Sequence, residues 1–188
     1  MNKSLIALAL TSLISASAFA SDSYTIDPRH TFPSFEVNHL GFSIQRGRFN
    51  QTAGKIELDT ANKQGKIDIT IDTTSISTGL PELEKHLQGE EFFDAEKYPT
   101  ITFTSNKLKF DGDKLVSAEG NFTMHGVTKP VSLLIDHFKC APHPMTKVAT
   151  CGANATTTIK RSDFGISKYV PAVGDEVKIA IQVEATKK

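Results

Sequence analysis

The sequence predicts an all-β fold, an antiparallel sandwich or barrel with one short helix. Apolar and polar residues alternate in about eight short stretches, a pattern typical of half-buried strands. Turn residues separate these stretches at intervals of roughly 8–12 residues, the spacing of sandwiches and barrels. Only one segment has convincing helical spacing, and strands do not alternate with helices as a parallel α/β fold requires.

The first twenty residues have the features of a removable export signal. Lys3 supplies a positive charge, residues 5–14 form a short apolar run, and Ala18-Phe19-Ala20 is a small-x-small cleavage site. The run is shorter than the roughly 20 apolar residues of a membrane span, although an uncleaved anchor is the alternative. We therefore expect a signal peptide at residues 1–20, a mature chain that begins at Ser21, and a periplasmic location.

The remaining residues, 21–188, predict a single domain without internal repeats or linkers. The whole chain has 21 Lys and Arg residues against 21 Asp and Glu residues, and removal of Lys3 leaves 20 against 21. With no basic excess to neutralise phosphates, the composition argues against a nucleic-acid partner.

The predicted strands follow one another along the whole mature chain. They lie in the alternating runs at 34–38, 49–58, 67–71, 101–103, 131–135 and 177–183. The segments Asn62–Gly65 and Asp111–Asp113 predict hairpin turns between strands.

One helix is predicted at residues 81–88, between two of these strands. Pro81 suits the first helical position, Leu83 and Leu87 share a face, and Gly89 follows as a C-terminal cap. An apolar-acidic patch, Phe92-Phe93-Asp94, comes next. Such a helix among strands is expected to lie as a plug or flap on the sheet.

The two cysteines, Cys140 and Cys151, predict a disulfide that closes a proline-containing surface loop. Closing so short a loop would stabilise the fold by roughly 2–3 kcal/mol in the chain-entropy model. A metal site is the alternative because His143 is close to Cys140, but no CxxC or HxxxH spacing supports it. We predict no metal site and no catalytic residue, since the sequence lacks a GxSxG elbow, an HExxH motif and a Gly-rich phosphate loop.

An eight-stranded barrel is just wide enough to be filled by side chains or to hold one small ligand. The parity of the alternation directs a set of apolar side chains inward, and a slip of one residue would turn any of them outward. Packing and ligand contact remain equally open for each of them. The lumen candidates are Phe35, Val37, Phe42, Phe49, Ile56, Ile67, Ile69, Phe103, Leu133 and Ile179.

Five motifs in order give the chain a resemblance to a known family. They are YTIDPRHTFPSFEVNHLGFS, GRFNQTAGKIELD, the KHL…FFD…KYPTITFTS stretch, EGNFTMHGVTKPVSL, and IKRSDFGI with VGDEVKIAIQVEA. Together they cover essentially residues 22–186, and the chain resembles the YceI-like family of exported lipid-binding proteins.

The resemblance implies a lipocalin-like, eight-stranded antiparallel barrel with the helix capping an opening. It also implies that the lumen holds a polyisoprenoid, such as an isoprenoid quinone or a polyprenyl phosphate. Leu83 and Leu87 would then face the lumen, and whether the helix gates entry is open. His39 and Arg161 are the headgroup candidates; a hydrogen-bonded strand-end histidine, and an ion pair of Arg161 with Asp163 or another carboxylate, are the alternatives.

The expected function is binding, sequestration or transport of an isoprenoid lipid without catalysis. No cofactor is required, although the bound lipid could be a quinone. Transient contact with a membrane or a membrane redox protein is expected, and the oligomeric state is not predicted. The alternatives are an electron-transfer accessory that carries quinone for a membrane redox partner and, third, an enzyme acting on a lipid.

Overall fold

Strands make up most of the chain that the computed structural model describes, residues 21–187. The signal peptide predicted at residues 1–20 lies outside these residues. Within residues 21–187 one α-helix, α1 (Pro81–Leu87), and two 3₁₀ turns, Thr73–Ser75 and Arg161–Phe164, interrupt the strands. The strands are β1 (Asp22–Ile26), β2 (Phe32–His39), β3 (Ser43–Phe49), β4 (Thr52–Asp59), β5 (Gln64–Asp72), β6 (Ile76–Ser77), β7 (Thr100–Asp111), β8 (Lys114–Met124), β9 (Val127–Pro142), β10 (Ala149–Lys160) and β11 (Val173–Lys187).

Eight of these strands close into an antiparallel barrel. Their order around the ring is β1-β4-β5-β7-β8-β9-β10-β11, and β11 returns to β1 where Ala185 lies opposite Ile26. Closure satisfies the hydrogen-bonding groups that an open sheet would leave at its edges. The predicted eight-stranded antiparallel barrel is confirmed.

The other three strands, β2, β3 and β6, form a branch on β11. Most of β11, residues 173–182, pairs with β2, whereas only its last three residues pair with β1. β3 continues from β2, and Phe49 at its end lies opposite Ile76 of β6. The alternating pattern alone does not separate this branch from the ring, which is why the chain has more strands than the eight that were predicted.

Residues with positive φ shape the turns that join the strands. Both predicted hairpins are present. The turn at Asp111–Asp113 contains Gly112 at φ 57°, whereas the turn predicted at Asn62–Gly65 lies at residues 60–63, with Lys63 at φ 56° and Gln64 already in β5. His125 and Gly126 connect β8 to β9 with φ 52° and 74°, the signs that a two-residue type I′ turn requires. A Cβ at Gly126 would lie 2.5 Å from the ring of Tyr98, so only glycine fits there.

Helix α1 begins at Pro81, as predicted, and ends at Leu87, one residue before the predicted end. The Glu84 carboxylate accepts hydrogen bonds from the backbone N–H groups of Thr78 (2.6 Å) and Gly79 (3.0 Å), and the bond from Thr78 lowers the pKa of Glu84. No helix within residues 21–187 is long and apolar enough to span a membrane.

The disulfide joins two neighbouring strands. Cys140 of β9 lies directly opposite Cys151 of β10, with 4.1 Å between the Cα atoms, and the two sulfurs are bonded. The predicted disulfide is confirmed, but its surroundings differ from the prediction. The cysteines are strand residues because β9 and β10 continue past them as a hairpin, and the connecting loop is only residues 143–148.

Candidate functional site

The barrel encloses a cavity of about 250 Å³ whose exposed wall is apolar. Its wall reaches from Leu58 and Cys151, near the β9–β10 hairpin, to Leu87 and Phe92 at the helical end. The volume is close to the lower end of the roughly 300–1,000 Å³ that is usual for small-molecule sites. An apolar wall of this kind gives a ligand little besides hydrophobic burial, so it favours an apolar chain.

Ten of the twelve lumen candidates lie on the wall of this cavity. They are Phe35, Val37, Phe49, Ile56, Ile67, Ile69, Leu87, Phe103, Leu133 and Ile179. Alternation explains this placement, because successive side chains of a strand point to opposite faces of the sheet. Contact of these ten side chains with a ligand remains a prediction.

Phe42 does not lie in the lumen, so its predicted position is corrected. It is the last residue of the turn between β2 and β3, and its side chain is 89% exposed. Leu40 and Gly41 within that turn have φ 58° and 75°. Alternation predicts side-chain direction only within an extended strand, and these two residues break it before Phe42.

Leu83 is not a wall residue either, which corrects the second of the predicted positions. Leu83 and Leu87 share a helix face, but they are one turn, or about 6 Å, apart along the axis. Only the C-terminal turn of α1 reaches the cavity, through Leu87, whereas Leu80 and Pro81 at its start are exposed.

The segment that follows α1 covers the helical end of the barrel; we call residues 81–98 the cap segment. Phe93 packs edge-on against Phe49 with 5.6 Å between ring centroids. The backbone N–H of Phe93 donates to the carbonyl oxygen of Leu87 (3.0 Å), which folds the chain back over the barrel. Leu87, Phe92 and Phe93 all contribute to the cavity wall. The cap segment therefore forms one end of the cavity.

A second covering element, residues 165–172, meets the cap segment. The ammonium of Lys168 pairs with the carboxylate of Glu91, and the Tyr169 ring lies 6.3 Å from that of Phe92. Ile166, in the same loop, is buried and lies on the cavity wall. We call residues 165–172 the Arg161 loop, because the side chain of Arg161 holds it in place.

Arg161 is buried, and four of its N–H groups donate to backbone carbonyl oxygens. Nε donates to Gly174 (2.9 Å), Nη1 to Ile166 (3.0 Å), and Nη2 to Lys168 (2.8 Å) and Val173 (3.0 Å). The guanidinium thereby ties both ends of the Arg161 loop to the end of β10. Because four of its five N–H groups already donate to the backbone, Arg161 has few donors left for the predicted headgroup role, although it lies on the cavity wall.

The predicted alternative for Arg161, an ion pair, is also corrected. Among residues 21–187 no carboxylate oxygen lies within 4.0 Å of its guanidinium. The Asp175 carboxylate instead accepts from the backbone N–H (2.9 Å) and the hydroxyl (2.8 Å) of Ser162, and that N–H lowers its pKa. Burial lowers the pKa of Arg161, and the charge of Asp175 opposes this shift.

His39, the other headgroup candidate, lies outside the cavity. It is the last residue of β2, its side chain is exposed, and it lies opposite Val173 of β11 in the strand register. No side-chain hydrogen bond of His39 is formed within the described part of the chain, so the alternative of a hydrogen-bonded strand-end histidine is corrected as well. Val37 is the last residue of β2 on the cavity wall, so the strand has already passed the cavity when it reaches His39.

Comparison with known proteins agrees with this architecture. Residues 24–185 match the model of the YceI-like domain. The chain belongs to the YceI-like family. The resemblance that the five motifs indicated is therefore confirmed.

YceI-like relatives match nearly the whole chain. Protein YceI of Escherichia coli O157:H7 is 38% identical over 189 residues, which cover 98% of this chain and 97% of that protein. The crystal structure of the Campylobacter jejuni YCEI protein is 29% identical, covers 96% of this chain and 99% of that chain, and has a TM-score of 0.69. A polyisoprenoid-binding domain from Saccharophagus degradans shares the fold at 15% identity, with a TM-score of 0.66 and coverage of 88% and 98%.

The YceI-like lumen also contains residues that were not among the predicted wall residues. Phe122 and Met124 of β8 are on the wall, and their alternation with Asn121 and Thr123 was a usable signal. Within residues 21–187 no group of three or more His, Cys, Asp or Glu side chains is arranged to hold a metal ion.

Proposed function

We propose that this protein binds an isoprenoid lipid in the barrel lumen and carries it through the periplasm. The observation that carries the proposal is the cavity, which runs along the barrel interior between apolar side chains. Burial contributes about 0.8 kcal/mol per CH₂ group, so a few isoprene units supply a substantial driving force. The polyisoprenoid-binding description of the S. degradans domain, which has the same fold, supports the choice of ligand class.

The periplasmic part of the proposal rests on the signal-like residues 1–20 and on the disulfide. The Cys140–Cys151 bond joins two strands of the barrel wall. Structural disulfides persist in oxidising compartments and are rare in the reducing cytosol. Export would place the carrier in the aqueous space that an isoprenoid chain cannot cross unaided.

Protein purified without detergent is expected to release an isoprenoid lipid into organic solvent, detected by mass spectrometry. After delipidation it should take up an isoprenoid quinone or a polyprenyl phosphate to a limit of one chain per barrel, because the barrel contains a single lumen. A delipidated, folded protein that takes up no isoprenoid would refute the proposal. Chemical turnover of the added lipid would favour the enzymatic alternative instead.

Lipid exchange with a membrane would take place at the turn between β2 and β3. Leu40 (49% exposed), Phe42 (89%) and Ile44 (43%) form an apolar tip there. The tip lies beside the covered end of the cavity: the backbone N–H of Leu40 donates to the carbonyl oxygen of Ala172 in the Arg161 loop (2.9 Å). Leu40 also adopts φ 58° without being glycine, a costly conformation of the kind found at functional positions.

Replacing Phe42 by serine is expected to lower the affinity for phospholipid vesicles about tenfold, measured by co-sedimentation. A fully buried aromatic side chain contributes roughly 1.5–3 kcal/mol, and insertion into the interface recovers part of that value. Leu134→Ser is the matched control, because Leu134 is 61% exposed on the outside of β9, away from this tip. Equal losses in the two variants, or none in Phe42→Ser, would contradict membrane contact at the tip.

A further inference from the structure

The end of the barrel opposite the cap segment is closed by packed side chains. Tyr24, Leu58 and Cys151 are buried there in one cluster. The disulfide fixes Cys151 to the neighbouring strand β9, and strand pairing closes the ring all the way around. A ligand that reaches the lumen therefore has to pass the helical end, which the cap segment and the Arg161 loop cover.

The cap segment is held together by its own backbone hydrogen bonds. The N–H groups of Phe93 and Ala95 donate to the carbonyl oxygens of Leu87 and Gln88, at 3.0 and 2.9 Å. These bonds join the turn that follows α1 to the last turn of the helix. Of residues 81–98 only Ala95 is buried, so the segment has few buried contacts with the barrel beneath it. Such a segment can move as a unit and keep its internal structure.

Both ends of the cap segment are attached to the barrel on the same side. The chain that leads into it leaves β6 at Ser77. At its other end, the carbonyl oxygen of Tyr98 accepts from the hydroxyl of Thr73 (2.9 Å), and that of Pro99 accepts from the N–H of Thr73 (3.0 Å). Thr73 comes only four residues before Ser77 in the chain. Two neighbouring attachments of this kind form a hinge.

The other side of the cap segment meets the Arg161 loop along a seam, which exposed groups bridge. The ion pair of Glu91 and Lys168 crosses the seam with side chains 54% and 38% exposed, and the ring of Phe92 lies beside that of Tyr169. Exposed pairs contribute little stability and are screened by salt. The Arg161 loop is fixed by the four hydrogen bonds of the buried Arg161. The side of the seam that can move is therefore the cap segment.

We propose that the cap segment is a hinged lid, which pivots about its attachments at residues 73–77 and opens along its seam with the Arg161 loop to let the ligand in and out. The Glu91–Lys168 pair is the latch that holds the lid closed. Leu40 of the apolar tip is hydrogen-bonded to the Arg161 loop, so the seam opens beside the proposed membrane contact. This inference rests on the proposed function, and it adds the route by which the ligand exchanges.

Glu91→Gln is expected to release a bound isoprenoid about two- to fivefold faster than wild type, the usual effect of one exposed ion pair. The measurement follows the exchange of a tritium-labelled isoprenoid quinone against an unlabelled excess. High salt should accelerate release from wild type and leave Glu91→Gln unchanged, because only wild type has a latch to screen. Exchange of the two charges, in Glu91→Lys with Lys168→Glu, should restore slow release. Glu36→Gln is the matched control, since it removes an exposed pair with Arg46 between β2 and β3.

A covalent link across the seam is expected to slow release at least about tenfold. Glu91→Cys with Lys168→Cys is loaded with the labelled quinone and then cross-linked by a short bis-maleimide; the two native cysteines are bonded to each other and do not compete. The same double variant treated with a monofunctional maleimide controls for the modification. Glu36→Cys with Arg46→Cys, cross-linked in the same way, controls for the link, and both controls should release at the wild-type rate.

Hydrogen exchange of the ligand-free proteins distinguishes a hinged lid from local unfolding. The amide groups of Phe93 and Ala95 are bonded within the cap segment, so their protection should be the same in Glu91→Gln and wild type. Protection that falls by the factor by which release rises would show that the segment unfolds, and would overturn the hinged lid.

The release rates separate this inference from the proposed function. Wild-type release from the cross-linked seam variant would show that the ligand passes elsewhere, and would overturn the lid while leaving lipid binding intact. The lid is also overturned if Glu91→Gln releases no faster than Glu36→Gln. Wild-type protein that takes up no isoprenoid would overturn the proposed function together with the inference.

Discussion

Replacing Ala155 by phenylalanine is expected to lower the affinity for an isoprenoid ligand at least about a hundredfold. Ala155 lies on β10, is buried, and belongs to the cavity wall opposite Ile181 of β11. A ring at this position would occupy space in which the ligand chain must lie. Exclusion of about four carbon atoms costs roughly 3 kcal/mol, and about 1.4 kcal/mol corresponds to a tenfold change in affinity.

Thr158→Phe is the matched control, because it adds the same ring on the same strand. Thr158 is exposed, and it alternates with the wall residues Thr157 and Ile159. The control is expected to bind as tightly as wild type in an equilibrium assay with a labelled isoprenoid. Unchanged binding by Ala155→Phe would show that the ligand does not occupy the lumen.

Folding of Ala155→Phe must be measured together with its binding. Overpacking a filled core usually costs about 1–3 kcal/mol, whereas a ring that enters an existing cavity meets less resistance. Thermal unfolding near the wild-type temperature, combined with lost binding, is therefore the expected pair of results. It would identify the lumen, rather than general stability, as the cause of the loss.

The barrel could be predicted because alternation is a local property that each strand repeats. The prediction placed Ile67 and Ile69 inward on β5, and both lie on the cavity wall. The ring itself follows from eight such strands, each of which must bury one face. How β11 divides its pairing between β1 and β2 depends on contacts between residues more than 130 positions apart, which no local pattern records.

The same rule failed where the chain leaves the strand. Phe42 is out of phase with Phe35 and Val37 of β2, and the positive φ values of Leu40 and Gly41 reverse the chain before it. Leu83 had the right helical spacing, yet a helix of only seven residues brings one turn to the cavity. Periodicity predicts the direction of a side chain within its own helix or strand. It does not predict where that helix or strand lies relative to the lumen.

Polar groups were the hardest part of the site to predict. A carboxylate partner for Arg161 could be sought in the sequence, because Asp and Glu are visible there. Its actual partners are backbone carbonyls, which every residue carries, so composition gives no sign of them. The hydroxyl of Thr52 is buried without a hydrogen-bond partner among residues 21–187, and the sequence gives no sign of this either.

Replacing Arg161 by methionine is expected to lower the free energy of unfolding by about 3–5 kcal/mol, measured by urea denaturation. The side chain is 7% exposed, and its loss would leave four backbone carbonyl oxygens of residues 166–174 without their donors. Each hydrogen bond from a charged group contributes roughly 1.5–3 kcal/mol, and solvent entering the loosened loop would recover part of the sum. Arg46→Met is the control: its ion pair with Glu36 is exposed, and its loss should cost less than about 1 kcal/mol.

Arg161→Lys separates the structural role of this residue from the headgroup role that the sequence suggested. Lysine keeps the positive charge, but a single ammonium cannot reproduce the planar arrangement of donors that reaches Gly174, Ile166 and Lys168 together. We expect this variant to be destabilised almost as much as Arg161→Met while its ratio of affinities for polyprenyl phosphate and isoprenoid hydrocarbon stays at the wild-type value. A ratio that falls sharply in Arg161→Met and recovers in Arg161→Lys would instead place the head of a charged lipid at Arg161. A constant ratio would assign Arg161 to holding the loop that, with the cap segment, covers the lumen.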